Sequence, residues 1–587
     1  QATVGRAAPR QRSEASGELG PPFARGRTVP AAGPAGAAAS RSGGQRMARY
    51  FLVVGLGLLS ACEAGEGDAE LSTLVAELQQ IAHEQQARLD AYDALLEQRP
   101  ATPSGPRQLA DDPGLQPTVY GGFHQLPGTR RYETREAYDS LLTHVWLLLC
   151  GALAVFMQAG FAMIEVGQGR IKNAQVILIK NFSVLAASCW GWWAFGWSFC
   201  HSGPMALGYK ENKFAGKEQF LGHHFMLARA DGQMEPSDLM LRWFFSWPFC
   251  AASTVIASAG IAERVHFLGS LIFAFLFSSF IYPIVAAWTW GNGWLADMNA
   301  TGYMDFAGSG VVFMSGGTAA LVGALIAGRR TGRFDGISSK ERTVTWPSAF
   351  KPHSIPLVVM GTFILWFGWY GFVCGSTMSM ASVEKGMLAA QVAMNTTIAA
   401  AGGGMVVLLL RFAMTRKYDI SMFCNGILAG LVSISAGCGN VECGSAVAIG
   451  VTGGILYFLF SLVIRTAQID DPVDAFSVYG VPGLWGIVAA ALFDWGNSFS
   501  HVHGWNGFRC LADEFGNCKT DLGGSLVAAN FALIGAVFGW VAVLSAIVFL
   551  VLKVARLLKN QTYAEEPSDA ADRTDYVYED VYAGGSI

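Results

Sequence analysis

The sequence predicts an all-α polytopic membrane protein with eleven transmembrane helices. Its 587 residues are 52% hydrophobic and only 14% charged, against about 25% charged in an average soluble protein. A long chain with so few charges must turn apolar surface toward lipid. Between about residues 140 and 556, eleven apolar stretches of membrane length follow one another, with the charges mostly between them. The 70 glycines suit helices that pack backbone against backbone in lipid. A formal net charge of −4 gives no reason to expect a nucleic-acid partner.

Residues 1–46 are rich in Arg, Ala, Gly and Pro, a disordered composition. They read as a transit-like leader or as translated upstream sequence. Residues 47–64 have a basic start, a short apolar core and small residues before Cys62, the pattern of a secretory signal peptide or a short uncleaved anchor. Within 68–99, Leu71, Leu74, Leu78, Ile81, Tyr92 and Leu95 share a heptad seam that Gln85 and Arg88 interrupt. Such a seam serves an external coiled coil that aids oligomerisation, or one amphipathic helix on its own.

The spans are predicted at 140–164, 175–200, 242–262, 267–289, 306–328, 355–376, 387–411, 421–437, 444–464, 476–493 and 525–552. Lys and Arg set their orientation. Arg329, Arg330, Arg333, Lys340, Arg342 and Lys351 follow span five, Arg411, Arg416 and Lys417 follow span seven, and Lys553, Arg556 and Lys559 follow span eleven. The segments 290–305 and 437–443 hold no Lys or Arg, whereas 201–241 holds several. The basic side is therefore expected in the cytosol, with the N-terminus outside, the C-terminus inside and the signal peptide pointing to the plasma membrane. The tail 557–587 is acidic and carries Tyr576, Tyr578 and Tyr582. It reads as a solvated tail, or as a phosphorylatable contact for a cytosolic regulator.

Two segments open a span with a carboxylate and then thin it with small residues: Asp305-Phe-Ala-Gly-Ser-Gly and Asp474-Ala-Phe-Ser-Val-Tyr479-Gly. That pattern suggests a polar route into lipid. Phe245, Phe249, Trp288, Trp290, Trp366, Trp369 and Phe372 sit in or beside spans three, four and six, with Ser376 at the end of span six. Aromatic faces with one hydroxyl suit a small cation, and they also suit an interfacial belt. Glu165 and Arg170 at the end of span one, with Lys180 in span two, read as a positive-inside turn with a packed Glu–Arg contact, and Glu263-Arg264 reads the same way.

From about residue 138 to 556 the chain resembles the ammonium transporter (Amt/Rh/MEP) family. The resemblance is carried by GFAMIEVGQGRIKN, AERVHF with Phe245 and Phe249 before it, WTWGNGW, DFAGSGVV, IPLVVMGTFILWFGWYGF, CNGILAGLVSISAGC and DDPVDAFSVYG. It implies a homotrimer with one pore per subunit. It also implies an inverted repeat of spans one to five against six to ten, plus a final helix. Asp305 and Asp474 would be pseudo-symmetric partners with structural roles. By position, Trp290, Phe245, Phe249 and Ser376 match the outer ammonium recruitment site, and Phe249 and Phe372 match the phenyl gate. Phe313, Tyr479 and Trp369 would line the pore. Asp305 would shape the recruitment site, or cap its helix.

Phe313 and Tyr479 stand where the family usually places a pair of pore histidines, and Val373 stands where relatives often carry Asn. Phe has no hydrogen-bonding group, and a Tyr hydroxyl is a poor proton relay near neutral pH. Transport of ammonium or ammonia is thus expected to be neutral or weak. Two alternatives stay open: an ammonium sensor signalling through its tail, and a gas or water pore. No nucleophile–base or metal pattern appears, so neither an enzyme nor a cofactor is expected. Cys510 and Cys518 are candidates for an outer-loop disulfide, and Asn299 for glycosylation.

Overall fold

The computed structural model describes residues 132–201, 213–223, 225, 227–228, 234–235, 238–298, 302–334, 350–494 and 525–558. The leader, signal peptide, heptad segment, Asn299, Cys510 and Cys518, and the tail beyond 558 lie outside the described residues. Described helices occupy every predicted span: α1 (Tyr132–Gln168), α2 (Ile171–His201), α3 (Leu239–Ala259), α4 (Phe267–Trp288), α5 (Ser309–Ala327), α6 (Ile355–Gly375), α7 (Val383–Thr415), α8 (Ile420–Ile434), α9 (Cys443–Thr466), α10 (Phe476–Leu492) and α11 (Ser525–Val554). Nine are long and apolar enough to cross a membrane, and α8 and α10 are shorter apolar helices. The α2–α3 segment adds a two-residue strand pair, β1 (Leu227–Ala228) against β2 (Met234–Glu235).

Small residues decide which helices meet. A Cβ at Gly160 of α1 would touch Gly361 and Leu365 of α6, and one at Gly361 would touch Gly160 and Ile164. Gly403 of α7 meets Gly426 and Gly430 of α8 in the same way. A further close crossing joins α5 to α10, where the backbone of Gly317 lies against that of Gly480. Helix–helix attraction in lipid comes from this close van der Waals approach, because lipid tails are as apolar as leucine. The outer surface remains greasy: Leu141, Val145 and Leu148 on α1 and Ile547, Leu550 and Val551 on α11 are all exposed.

The charges at the predicted cytosolic end pair differently from the sequence reading. Glu165 contacts Lys180 of α2 at 2.6 Å, not Arg170. Arg170 instead reaches Glu263, at 3.3 Å. Glu263 also receives Arg330, and Arg330 holds Asp470 through Nε and Nη2 at 2.8 and 2.7 Å. Arg264 meets Asp470 at 3.2 Å. These partners are far apart in sequence, so neighbouring charges could not reveal them. Burial pushes the Asp470 carboxyl upward, but Arg330 and Arg264 outweigh it and hold the group well below the usual carboxylate range. The α3–α4 turn, the α5–α6 connection and the α9–α10 turn are thereby tied into one buried cluster. Such a cluster fixes geometry more than it adds stability.

The crossing of α5 with α10 should tolerate no side chain. Gly317→Val forces a branched side chain onto the Gly480 backbone, so unfolding in detergent should come earlier by about 1–3 kcal/mol or more. Gly386 on α7 has nothing within 4 Å of its would-be Cβ. Gly386→Ala should be neutral or stabilising by about 0.5–1 kcal/mol. Equal loss in both variants, measured by thermal unfolding, would contradict this packing account.

Candidate functional site

The site is set by how α5 and α10 begin. The chain turns at Gly308, whose φ of 92° disfavours any side chain. Asp305 then accepts hydrogen bonds from the backbone N–H groups of Gly308, Gly310 and Val311, each at 2.9 Å. This satisfies donors that a helix start leaves without partners. The first turn of α5, Ser309–Met314, is π-helical, and so is the first turn of α10, Phe476–Gly480. Phe313 and Tyr479 sit on these two wide turns. π-Turns often mark functional positions in helices.

Asp471, rather than Asp474, repeats the part that Asp305 plays. Asp471 stands eight residues before Tyr479, as Asp305 stands before Phe313. Each accepts from the backbone N–H five residues on, Asp471 from Phe476 at 2.8 Å and Asp305 from Gly310 at 2.9 Å. Asp474 takes a left-handed backbone, φ 56°, and its carboxylate receives Ser461 and Arg465 of α9 at 2.9 Å each. It fastens α9 to the start of α10. The acid nearer to Tyr479 therefore drew the sequence reading, whereas the spacing shared with Asp305 identifies its counterpart. Burial pushes the carboxyls of Asp305 and Asp471 up to about 6.

Outside these turns lies a cavity of about 820 Å³ that reaches Phe245, Phe249, Trp290, Asp305 and Ser376. Trp290 is anchored by its indole N–H, which donates to the Asp305 carbonyl at 3.1 Å. Its ring meets Phe249 edge-on at 5.7 Å, and Phe245 meets Phe249 edge-on at 5.1 Å. The Ser376 hydroxyl donates to the Phe372 carbonyl at 3.0 Å, which leaves its oxygen able to accept. The structure thus brings these predicted residues together at one mouth. A small cation there would meet aromatic rings, one hydroxyl oxygen and the nearby Asp305 carboxylate.

Next to this cavity the space between the helices is filled by rings. Phe249 stacks on Phe372 at 3.8 Å. Phe313 lies 5.5 Å from Phe372, stacks on Trp369 at 4.7 Å and faces Tyr479 at 6.3 Å. Tyr479 in turn reaches Phe161 at 6.0 Å. Phe313, Trp369 and Phe372 are fully buried. The Trp369 N–H is already committed to Ser435, at 3.1 Å. Beneath Tyr479 is a void of about 10 Å³ whose wall includes Glu165 and Asn425. His201 lines the outer cavity, but no histidine lines this void or contacts Phe313 or Tyr479 among the described residues. Nor does any group of three His, Cys, Asp or Glu among them suit a metal ion.

Sequence reasoning missed the two π-turns, the capping role of Asp471 and the Glu165–Lys180 pair. The repeated spacing of eight residues between an acid and a bore aromatic was the available signal. Burial pushes the Asp305 carboxyl up to about 6, so its charge is lost progressively as the pH falls through that value. Ammonium-induced change in Trp290 emission should therefore be stronger at pH 7.5 than at pH 5. Asp305→Asn should flatten that part of the pH dependence. An Asp305→Asn profile identical to wild type would show that this carboxylate does not attract the cation.

The model of the Ammonium Transporter Family matches residues 145–578. Ammonium transporter Amt2 of Archaeoglobus fulgidus is 36% identical over 356 residues, covering 60% of this chain and 71% of that protein. Ammonium transporter 1 member 1 of Arabidopsis thaliana is 33% identical over 412 residues, covering 68% and 77%. Among solved structures, one described as a Sensor Amt Protein superposes with a TM-score of 0.62 at 28% identity, covering 74% of this chain and 100% of that one. Saccharomyces cerevisiae Mep2 superposes with a TM-score of 0.60 at 27% identity, covering 73% and 90%. Apolar helices at every predicted span, a family match over most of the chain and these superpositions agree: the protein is a membrane protein of the ammonium transporter family.

Proposed function

We propose that this protein binds ammonium at the outer mouth formed by Trp290, Phe245, Phe249 and Ser376 and passes it on as neutral ammonia, slowly and without net charge. The observation that carries this reading is the Phe313 ring, packed between Phe372, Trp369 and Tyr479. Magnitudes separate the two forms of the substrate. Stripping an ammonium ion of water in such a bore costs several kcal/mol at least. A cation–π contact returns only about 0.5–2 kcal/mol, and Phe313 offers no acceptor. Opening the stack for a neutral molecule disturbs ring contacts worth about 0.5–1.5 kcal/mol each. The proton is left at the mouth, and ammonia waits on ring motion. The family context supports a homotrimer with one such route in each subunit. The Lys and Arg bias supports a cytosolic C-terminus, and the signal-peptide pattern of residues 47–64 supports a place in the plasma membrane.

A second reading is an ammonium sensor. It is favoured by the filled bore and by the likeness to the Sensor Amt Protein. Its signal would leave through the tail toward a cytosolic regulator. Reconstitution separates the two. An inward ammonium gradient should change the vesicle interior pH without a current in wild type. Phe313→His with Tyr479→His should raise electrogenic transport at least tenfold, because imidazoles restore acceptors and a proton relay. Identical behaviour of wild type and the double variant would sink this account of the bore. Unchanged vesicle pH with a normal Trp290 response would select the sensor.

A further inference from the structure

The void beneath Tyr479 has the features of a site in its own right. Its volume of about 10 Å³ is what one water-sized molecule needs, about 10–15 Å³. Ammonia is such a molecule. Phe161, Val478 and Tyr479 form an apolar and phenolic roof, and Glu165 and Asn425 supply the polar wall. Asn425 is already committed: its oxygen accepts from Gln168 at 3.0 Å and its nitrogen donates to the Tyr457 hydroxyl at 3.2 Å. Glu165 is different. It is 3% exposed, and its Oε2 accepts from Lys180 at 2.6 Å, while its Oε1 has no hydrogen-bond partner. Lys180 is braced by Ser258 at 3.3 Å. A buried carboxylate oxygen left without a donor is costly and uncommon. Here it belongs to a side chain that lines a void of one-molecule size, on the route's inner side.

We infer that this void is an inner binding site for one N–H donor of ammonia size, with Glu165 Oε1 as its acceptor and Lys180 as the balancing charge. The inference rests on the reading of the bore as a route for ammonia and names the station where a molecule leaving the rings is first held. The pair carries no net charge, so it holds a neutral donor without repelling it. At about 10 Å³ the void matches ammonia in size more closely than the larger methylammonium.

Infrared difference spectroscopy on the full chain in phosphatidylcholine vesicles tests this, with sodium chloride exchanged for ammonium chloride. Trp290 emission, isolated by subtracting Trp290→Phe, reports the outer site in the same samples. Wild type should show a shifted carboxylate band that Glu165→Gln with Lys180→Gln lacks. Methylammonium should give a band at least threefold weaker. Tyr479→Phe keeps the ion pair and should raise the half-saturating ammonium concentration at least threefold. If the paired Gln variant does not fold, Tyr479→Phe decides, and unchanged half-saturation overturns the site. The same spectrum in wild type and the paired Gln variant, or no wild-type band while Trp290 responds, also overturns it: the void then holds a resident water only. A Glu165 band without any Trp290 response would keep the inner site and sink the outer one.

Discussion

Everything at the centre of this molecule depends on the close crossing of α5 and α10. The Gly317 backbone lies against Gly480 because neither position carries a side chain. That approach brings α5, entered from the outer cavity, against α10, entered from the predicted cytosolic end, with an acid at the head of each. Asp305 and Asp471 bind the backbone N–H groups of the wide first turns. The turns then aim Phe313 and Tyr479 at each other across the bore, 6.3 Å apart. The same capping that builds the helices leaves a partly desolvated carboxylate, Asp305, beside the mouth. Asp305 is thus a helix cap in this structure, and the proposed attraction of the cation would be a second role for the same residue.

The proposed function separates recognition from passage. At the mouth, rings, a hydroxyl and a carboxylate line a large cavity, where ammonium on the proposed reading would keep part of its water. Below it, aromatic faces replace hydrogen-bonding groups, and the Trp369 N–H is spent on Ser435. On the proposed reading a charged ion would gain nothing by going further, while a neutral molecule would lose little. Polar chemistry resumes only under Tyr479, at Glu165 and Lys180. The buried ion cluster around Asp470 closes the framework at the predicted cytosolic end and holds the α9–α10 turn against the α3–α4 turn.

Much of the fold was legible in the sequence because the membrane imposes one rule over long windows. Apolar runs gave the helix positions, with ends displaced where caps act: α5 starts at Ser309, not 306, because residues after Asp305 form the capping turn. The mouth was legible through WTWGNGW and the aromatics of spans three and six. Three features were not. Whether a helix opens with a π-turn depends on tertiary packing, and hydropathy does not register it. The partners of Glu165, Glu263 and Asp470 come from distant segments. And Asp474 was read as the counterpart of Asp305, when the count of residues to the bore aromatic favours Asp471.

The central claim is that stacked rings without an imidazole exclude the charged ion. The most direct measurement is the charge moved per nitrogen taken up, recorded on one preparation of reconstituted wild-type protein by pairing uptake of isotope-labelled ammonium with current. The account predicts uptake, where it occurs, with a ratio close to zero. A ratio near one charge per nitrogen would contradict it, because the ion itself would then be crossing Phe313.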